Sequence, residues 1–480
     1  MDYTKLTLLE VSALLEQKKV TSEQLVQACF EVIEQKQNLN ALNSTYKEQA
    51  LRQAKQIDEM RSNNKPLGIL AGVPIIVKDN ISVTGMKNTC SSKFLENYHA
   101  IYDATVIEKL KQAGAIILAK ANMDEFAMGS SNENSAFGAS LNPVNESYVT
   151  GGSSGGSAAS VKANMAYASL GTDTGGSVRQ PASFCGVVGI KPTYGLVSRY
   201  GVVAFGSSFD QVGTFTRSVK DGAVMLSTIA GYDERENTSA NKQPVNYLNQ
   251  ITGSVAGLKI GIAKEFFSLG MDEDVNTAIQ NAIAFYKANG AEIVDISLPN
   301  IATGLPVYYV LSSAEAASNL GRFDGIRYGK REEGSTLEQI YTNSRTKGFG
   351  REVKRRIMLG NFVLSSGYYD AYYKKGEQVR TLLKEEFKQA FEACDVILTP
   401  TSPTTAFRLG EKSNDHIKMY LSDIYTVVVN VVGSPAISFP CGRGKNNMPI
   451  GLQLIGKHFD EGTILNAADY FETNYYKEEN

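Results

Sequence analysis

Histidine is scarce in this chain. Only His99, His416 and His458 occur in 480 residues, and none stands in a distinctive setting. A serine hydrolase with a histidine base has little to draw on here. Cysteine is scarce too. Cys29, Cys90, Cys185, Cys394 and Cys441 are odd in number and widely spaced, with no CxxC pair. That argues against a disulfide frame or a zinc site, and it suits reduced thiols in a cytoplasmic protein. Without a His/Cys cluster, no metal site is expected. Positive charge is not in excess: 48 lysines and arginines face 50 acids, for a net charge of −2. The chain lacks the basic footprint that grips a phosphate backbone directly. No run of about 18 apolar residues exists, so no membrane span is expected. The opening MDYTKLTLLEVSALLEQKK lacks the basic and apolar regions of a signal peptide.

Glycine, by contrast, is concentrated in one stretch. Residues 151–189 hold two clusters that each carry a serine, GGSSGGS at 151–157 and TGGS at 174–177. Glycine permits positive φ and close approach of backbone to a ligand. Such loops aim bare N–H groups at an anion or at an oxyanion formed during reaction. A serine beside those donors is a candidate nucleophile. Apolar runs lie between and after the clusters, which argues against a flexible Gly/Ser linker.

The rest of the chain supplies a scaffold. Leu6, Leu8, Leu9, Val11, Leu14 and Leu15 recur at helical spacing. Thr21 with Gln24 reads as a capping box opening a helix to about residue 35. A third, more polar helix covers about 47–61. Strands are expected at 73–77, 115–120, 166–171, 187–190, 258–262, 292–296, 396–399, 436–439 and 450–455. Helices are expected at 103–114, 157–164, 177–184, 274–288 and 462–476. Alternation of this kind predicts an α/β fold, with helices covering a largely buried sheet. Residues 1–65 read as a helical segment packed on a main domain of 66–480. That domain carries a mostly helical insertion at about 301–376. The apolar TVVVNVVGSPAISFPCG at 426–442 reads as a strand region.

The first cluster contains GGSSG, which formally matches the G-x-S-x-G nucleophile elbow, but that elbow needs a histidine. GxxxxGK[ST] is absent from the cluster, and no G-x-G-x-x-G register exists. What is left is a serine nucleophile with a different base. Lys78 ends the apolar strand VPIIVK. On position alone it has two readings: a strand-end lysine reaching solvent or pairing with Asp79, or a buried, neutral proton acceptor. The second requires a pKa near 7 in place of about 10.4.

GGSSGGSAASV, GTDTGGSVRQPASFCGVVGIKPTYG and VPIIVKDNI together resemble the amidase signature family. The resemblance implies a large mixed β-sheet core covered by helices on both faces. It implies a Ser–Ser–Lys triad: Ser177 as nucleophile, Ser153 as bridge after a cis bond to Gly152, and Lys78 as base. Backbone N–H groups of Thr174, Gly175 and Gly176, with Ser177 itself, are implied as the oxyanion hole. Further blocks, NMDEFAMGSS, YYVLSSAEAASNLGRFDGIRYG and EVKRRIMLGNFVLSSGYYDAYYKK, resemble the A subunits of tRNA-dependent amidotransferases within that family. This implies a glutaminase that passes ammonia to a B subunit, where ATP-activated Glu-tRNA(Gln) becomes Gln-tRNA(Gln). A small C subunit completes a heterotrimer. ATP and Mg are expected on the B subunit, and no cofactor in this chain. On the same resemblance, Arg356 holds the glutamine carboxylate and Asp423 its ammonium. Tyr308 forms a pocket wall, with Tyr309 equally available, and Ser130 lines the acyl pocket. The triad alone also fits a free-standing amidase acting on other small amides. The stretch 426–442 departs from the family pattern, which often has a Thr-Pro turn before the Asn and Leu before the Pro.

Overall fold

The computed structural model of the chain describes residues 2–476. The strands in chain order are β1 (Leu42–Thr45), β2 (Pro74–Lys78), β3 (Ile116–Ala121), β4 (Ala168–Asp173), β5 (Val188–Lys191), β6 (Gln211–Thr216), β7 (Lys259–Ala263), β8 (Glu292–Ile296), β9 (Val396–Pro400), β10 (Ala436–Arg443) and β11 (Pro449–Gly456). Among the described residues these eleven form one sheet, in the order β1-β3-β2-β4-β6-β5-β10-β11-β9-β7-β8. The sheet is mixed: β2 runs parallel to β3 and β4, whereas β6 is antiparallel to both β4 and β5. The expected α/β architecture is met.

Two apolar layers sandwich the sheet. In β9, Val396 and Leu398 join the larger core, with helices Leu8–Glu16, Ser22–Gln35, Val219–Ile229 and Glu461–Phe471. Ile397 between them joins the second core, under helices Gly304–Leu320, Lys375–Ala393 and Val427–Val432. This is the two-residue alternation of a strand buried on both faces. Each such side chain withdrawn from water contributes about 1.5–3 kcal/mol.

Local signals act as expected at several places. Thr21 and Gln24 form the reciprocal capping box, and the helix behind it buries Leu25, Val26, Cys29, Phe30 and Ile33. Residues 103–120 form helix Thr105–Gln112 followed by β3. One expectation fails. The run 426–442 is not strand throughout: Val427–Val432 is a helix, closed by Gly433 in the left-handed region, and only then does β10 begin. Five valines in six residues favour a strand by stiffness at χ1. All six are buried, and that packing overrides the preference. Strands β1 and β6 were not expected either. Their short, mixed-polarity sequences give no clear alternation.

Helix Gly304–Leu320 packs closely on helix Arg351–Leu364. Gly360 permits it: a Cβ there would lie 2.0 Å from the carbonyl oxygen of Ser313. This close crossing carries Tyr308 and Tyr309 on one helix toward Arg356 on the other.

Candidate active site

Lys78 ends β2, and Asp173 ends the adjacent parallel β4. Loops that follow parallel strands open at the same edge of the sheet, where ligands bind in α/β folds. The first glycine cluster leads into helix Gly155–Lys162, and the second lies between β4 and helix Arg179–Cys185.

Lys78 is fully buried. Its Nζ lies 2.7 Å from Ser153 Oγ, 2.8 Å from Thr172 Oγ1 and 3.3 Å from the Thr172 carbonyl oxygen. Burial pushes its pKa down to about 7, against the opposing pull of Asp124, Asp173 and Asp210. A neutral amine has two N–H groups and one lone pair. The Thr172 carbonyl can only accept, and Thr172 Oγ1 already accepts from Asn80 Nδ2 at 3.1 Å. With both N–H groups directed to Thr172, the lone pair faces the Ser153 hydroxyl. The arrangement is that of a base poised to take the Ser153 proton.

The Gly152–Ser153 peptide is cis. Gly152 N–H donates to Gln180 Oε1 at 3.0 Å, and the Ser153 carbonyl accepts from Asp124 N–H at 3.1 Å. A Cβ on Gly152 would lie 2.1 Å from Asp124 Oδ2, so no larger residue fits. Ser154 N–H donates to the Ser177 carbonyl at 3.3 Å, which docks the first cluster on the second. Lys78 and Ser153 are sealed off, whereas Ser177 keeps 7% of its surface. Of the three, only Ser177 keeps access to the surface.

The turn 174–177 is held by one buried ion pair. Asp173 and Arg179 meet at 3.0 Å with no exposure of either side chain. Asp173 also accepts from Asn430 Nδ2 at 3.0 Å and from Val178 N–H at 3.2 Å. Burial alone would raise the Asp173 pKa, but the charge and hydrogen bonds of Arg179 outweigh it and hold it at about 2. Gly176 N–H, expected among the oxyanion donors, is instead bound to Asp173 Oδ1 at 2.8 Å. Among the described residues the N–H groups of Thr174, Gly175 and Ser177 make no such bond. They are the donors left for an oxyanion.

Ser130 and Asp423 are brought together, the Ser130 hydroxyl donating to Asp423 Oδ2. Gln180 Nε2 reaches Asp423 Oδ1 at 3.3 Å. Burial raises the Asp423 pKa to about 7, opposed by Ser130 and by Arg356. Arg356 is buried beside the stacked pair Tyr309 and Tyr420, 4.5 and 5.1 Å from their centroids. The two tyrosines of helix Gly304–Leu320 divide their tasks. Tyr309 lies against Arg356, whereas Tyr308 abuts the turn 174–177, where a Cβ on Gly175 would meet its ring at 2.5 Å. A cavity of about 160 Å³ has Ser130, Glu352, Arg356 and Tyr420 in its wall and none of the triad.

Sequence reasoning missed the Asp173–Arg179 clamp, the Thr172 acceptors and Asp124. All three lie inside the motifs that drew notice to the region, GTDTGGSVRQP and NMDEFAMGSS. The usable signal was charge placed within an otherwise small and apolar run. Among the described residues no group of three or more His, Cys, Asp and Glu could hold a metal ion. No described helix is long and apolar enough to cross a membrane.

Comparison with known proteins gives a consistent set. The family model described as Amidase matches residues 24–465. The chain is 54% identical over 477 residues to the A subunit of the glutamyl-tRNA(Gln) amidotransferase of Caldanaerobacter subterraneus subsp. tengcongensis, covering 99% of this chain and 97% of that protein. The crystal structure of the A subunit of the glutamyl-tRNA(Gln) amidotransferase of Thermotoga maritima is similar at TM-score 0.82 and 41% identity, covering 99% of this chain and 96% of that one. A peptide amidase in complex with chymostatin is similar at TM-score 0.86 and 26% identity, covering 98% of each chain.

Proposed function

The chain belongs to the amidase signature family, and on that premise we propose that it is the glutaminase subunit of a tRNA-dependent amidotransferase. The observation that carries this reading is acyl chemistry joined to opposite charges: Gln180 accepts from Gly152 N–H and donates to Asp423, on which the Arg356 charge acts. Buried Lys78, 2.7 Å from Ser153, supplies the first. Arg356 and Asp423, both buried, supply the second. Glutamine needs all three: an acyl site for its side-chain amide, a cation for its carboxylate and an anion for its ammonium.

The steps follow from the placement. Ser177 Oγ attacks the amide carbon while its proton passes to Ser153, and the Ser153 proton passes to Lys78. The N–H groups of Thr174, Gly175 and Ser177 receive the developing oxyanion, an effect worth about 10²–10³ in rate for a single donor. Collapse breaks the carbon–nitrogen bond. Lys78 returns the proton through Ser153 to the leaving nitrogen, which departs as ammonia. Ser177 then carries a γ-glutamyl ester. Water, deprotonated by the same relay, attacks that ester and releases glutamate.

In the complex, the ammonia passes to a B subunit that activates Glu-tRNA(Gln) with ATP and Mg, and a C subunit joins the pair. The near-neutral charge of this chain supports a division in which tRNA contact falls mostly to the partner. Ammonia release from glutamine, measured on the full chain alone and with B and C subunits, tests the reading. Ser177→Ala is expected to abolish it while added ammonia still supports Gln-tRNA(Gln) formation by the complex. Equal activity on many small amides, indifferent to the partners, would instead mark a free-standing amidase.

A further inference from the structure

Glu352 and Arg356 lie four residues apart on helix Arg351–Leu364, so they share a face. Both are buried, and Glu352 Oε1 accepts the Arg356 Nε–H at 2.8 Å. The same oxygen accepts the Tyr420 hydroxyl at 3.1 Å, and the other oxygen accepts from Arg355. Arg356 Nη1, in contrast, is buried without a hydrogen-bond partner. A buried cationic N–H without a partner is costly. With Nε occupied by Glu352, the open end of the guanidinium is the edge that binds a carboxylate through two parallel hydrogen bonds.

Glu352 is also linked, through Tyr420, to Asp423. Tyr420 stands three residues before Asp423, and Asp423 N–H donates to the Tyr420 carbonyl at 3.1 Å. One carboxylate thus links the helix that carries the cation to the segment that carries the anion. We propose that Glu352 is the positioning residue that fixes the spacing of Arg356 and Asp423 and aims the open guanidinium edge, thereby selecting amides that end in a free α-amino acid group. This rests on the glutaminase reading above. A free α-amino acid presents carboxylate and ammonium on one carbon, so it rewards a fixed spacing that a simple amide does not use.

The test compares three amides on the full chain assembled with its partners. Glutamine has both charges, 4-aminobutanamide lacks the carboxylate, and glutaramate lacks the ammonium. Glu352→Ala is expected to lower kcat/KM for glutamine about 10- to 100-fold, mostly through KM, and to leave 4-aminobutanamide within about twofold. Glu352→Gln keeps an acceptor for Nε and is expected to restore most of the loss. Tyr420→Phe severs one link without opening a cavity, and is expected to raise the glutamine KM about threefold or more, with a smaller rise for 4-aminobutanamide. This variant keeps the test decisive if Glu352→Ala does not fold. Equal losses on all three amides, or an unchanged glutamine KM in Tyr420→Phe, overturn the inference alone. Wild-type enzyme inert toward glutamine, or Arg356→Ala as active on it as wild type, overturns the functional reading and the inference with it.

Discussion

The pH dependence of amide hydrolysis follows from the burial of Lys78. Its pKa falls from 10.5 to about 7, a difference of roughly 5 kcal/mol against the charged form. A base at about 7 is nine-tenths neutral at pH 8, whereas an ordinary lysine is neutral in only about one molecule in 300. The kcat/KM for an amide is therefore expected to level off above pH 8 and to fall about tenfold per pH unit below 6. Glutaramate isolates this limb, because it has no ammonium for Asp423 to meet. With glutamine a second group enters. Asp423 also titrates near 7 and must be ionised to bind the ammonium, so it fails in the same direction as pH falls. The logarithmic profile for glutamine should then approach a slope of about two, against about one for glutaramate. Folding carries the same signature. Between about 7 and 10.5 the unfolded chain binds a proton at Lys78 that the folded chain does not, so stability rises with pH across that window. Ammonia release over pH 5–10, run on both amides, measures these slopes. A glutaramate rate still climbing tenfold per unit between pH 8 and 10 would mean a charged Lys78 and would refute the reasoning.

Two further outcomes concern the turn that follows β4. Gly175→Ala places a Cβ 2.5 Å from the Tyr308 ring, so the turn or the ring must move. A kcat loss of about 100-fold is expected, partly restored by Tyr308→Leu in the same chain, and steady-state kinetics on both variants checks it. An unaffected kcat in Gly175→Ala would show that this turn does not supply the oxyanion donors. Asp173, held at about 2 when folded against an ordinary 3.8, contributes stability that is present above 3.8 and is lost as pH falls toward 2. That amounts to about 2 kcal/mol. Asp173→Asn strands Arg179 without its counter-charge and should cost about 3–5 kcal/mol in urea unfolding, with the acid-linked part removed. A variant as stable as wild type at pH 7 would show that the pair does not hold the turn.

Much of the scaffold was legible because its signals are local. The Thr21–Gln24 box, the apolar strand ending at Lys78 and the helix–strand unit before residue 121 depend on residues near one another in the chain. Burial of the Val427–Val432 helix depends on helices from elsewhere, and no local pattern reports that. The site divides in the same way. Composition and spacing pointed to the serines of the two glycine clusters, and the family resemblance singled out Ser153 and Ser177. Whether Lys78 reached solvent or turned inward was open on position alone, and only the fold places Thr172 around its Nζ. The engagement of Gly176 N–H by Asp173 is likewise a matter of turn geometry, invisible in TGGS. Arg356 stood beside Arg355 with only the family resemblance to separate them. The helix places Arg356 over Tyr309 and pairs Arg355 with Glu352 and His416.

The central claim is that Ser177 becomes acylated by glutamine through Ser153 and Lys78. Acid quenching of the assembled enzyme during glutamine turnover, followed by peptide mass mapping, tests it most directly. A γ-glutamyl ester on the peptide bearing Ser177, absent in Lys78→Ala, is the predicted result. The ester on Ser153 or on a cysteine, or an undiminished Ser177 ester in Lys78→Ala, would contradict the account.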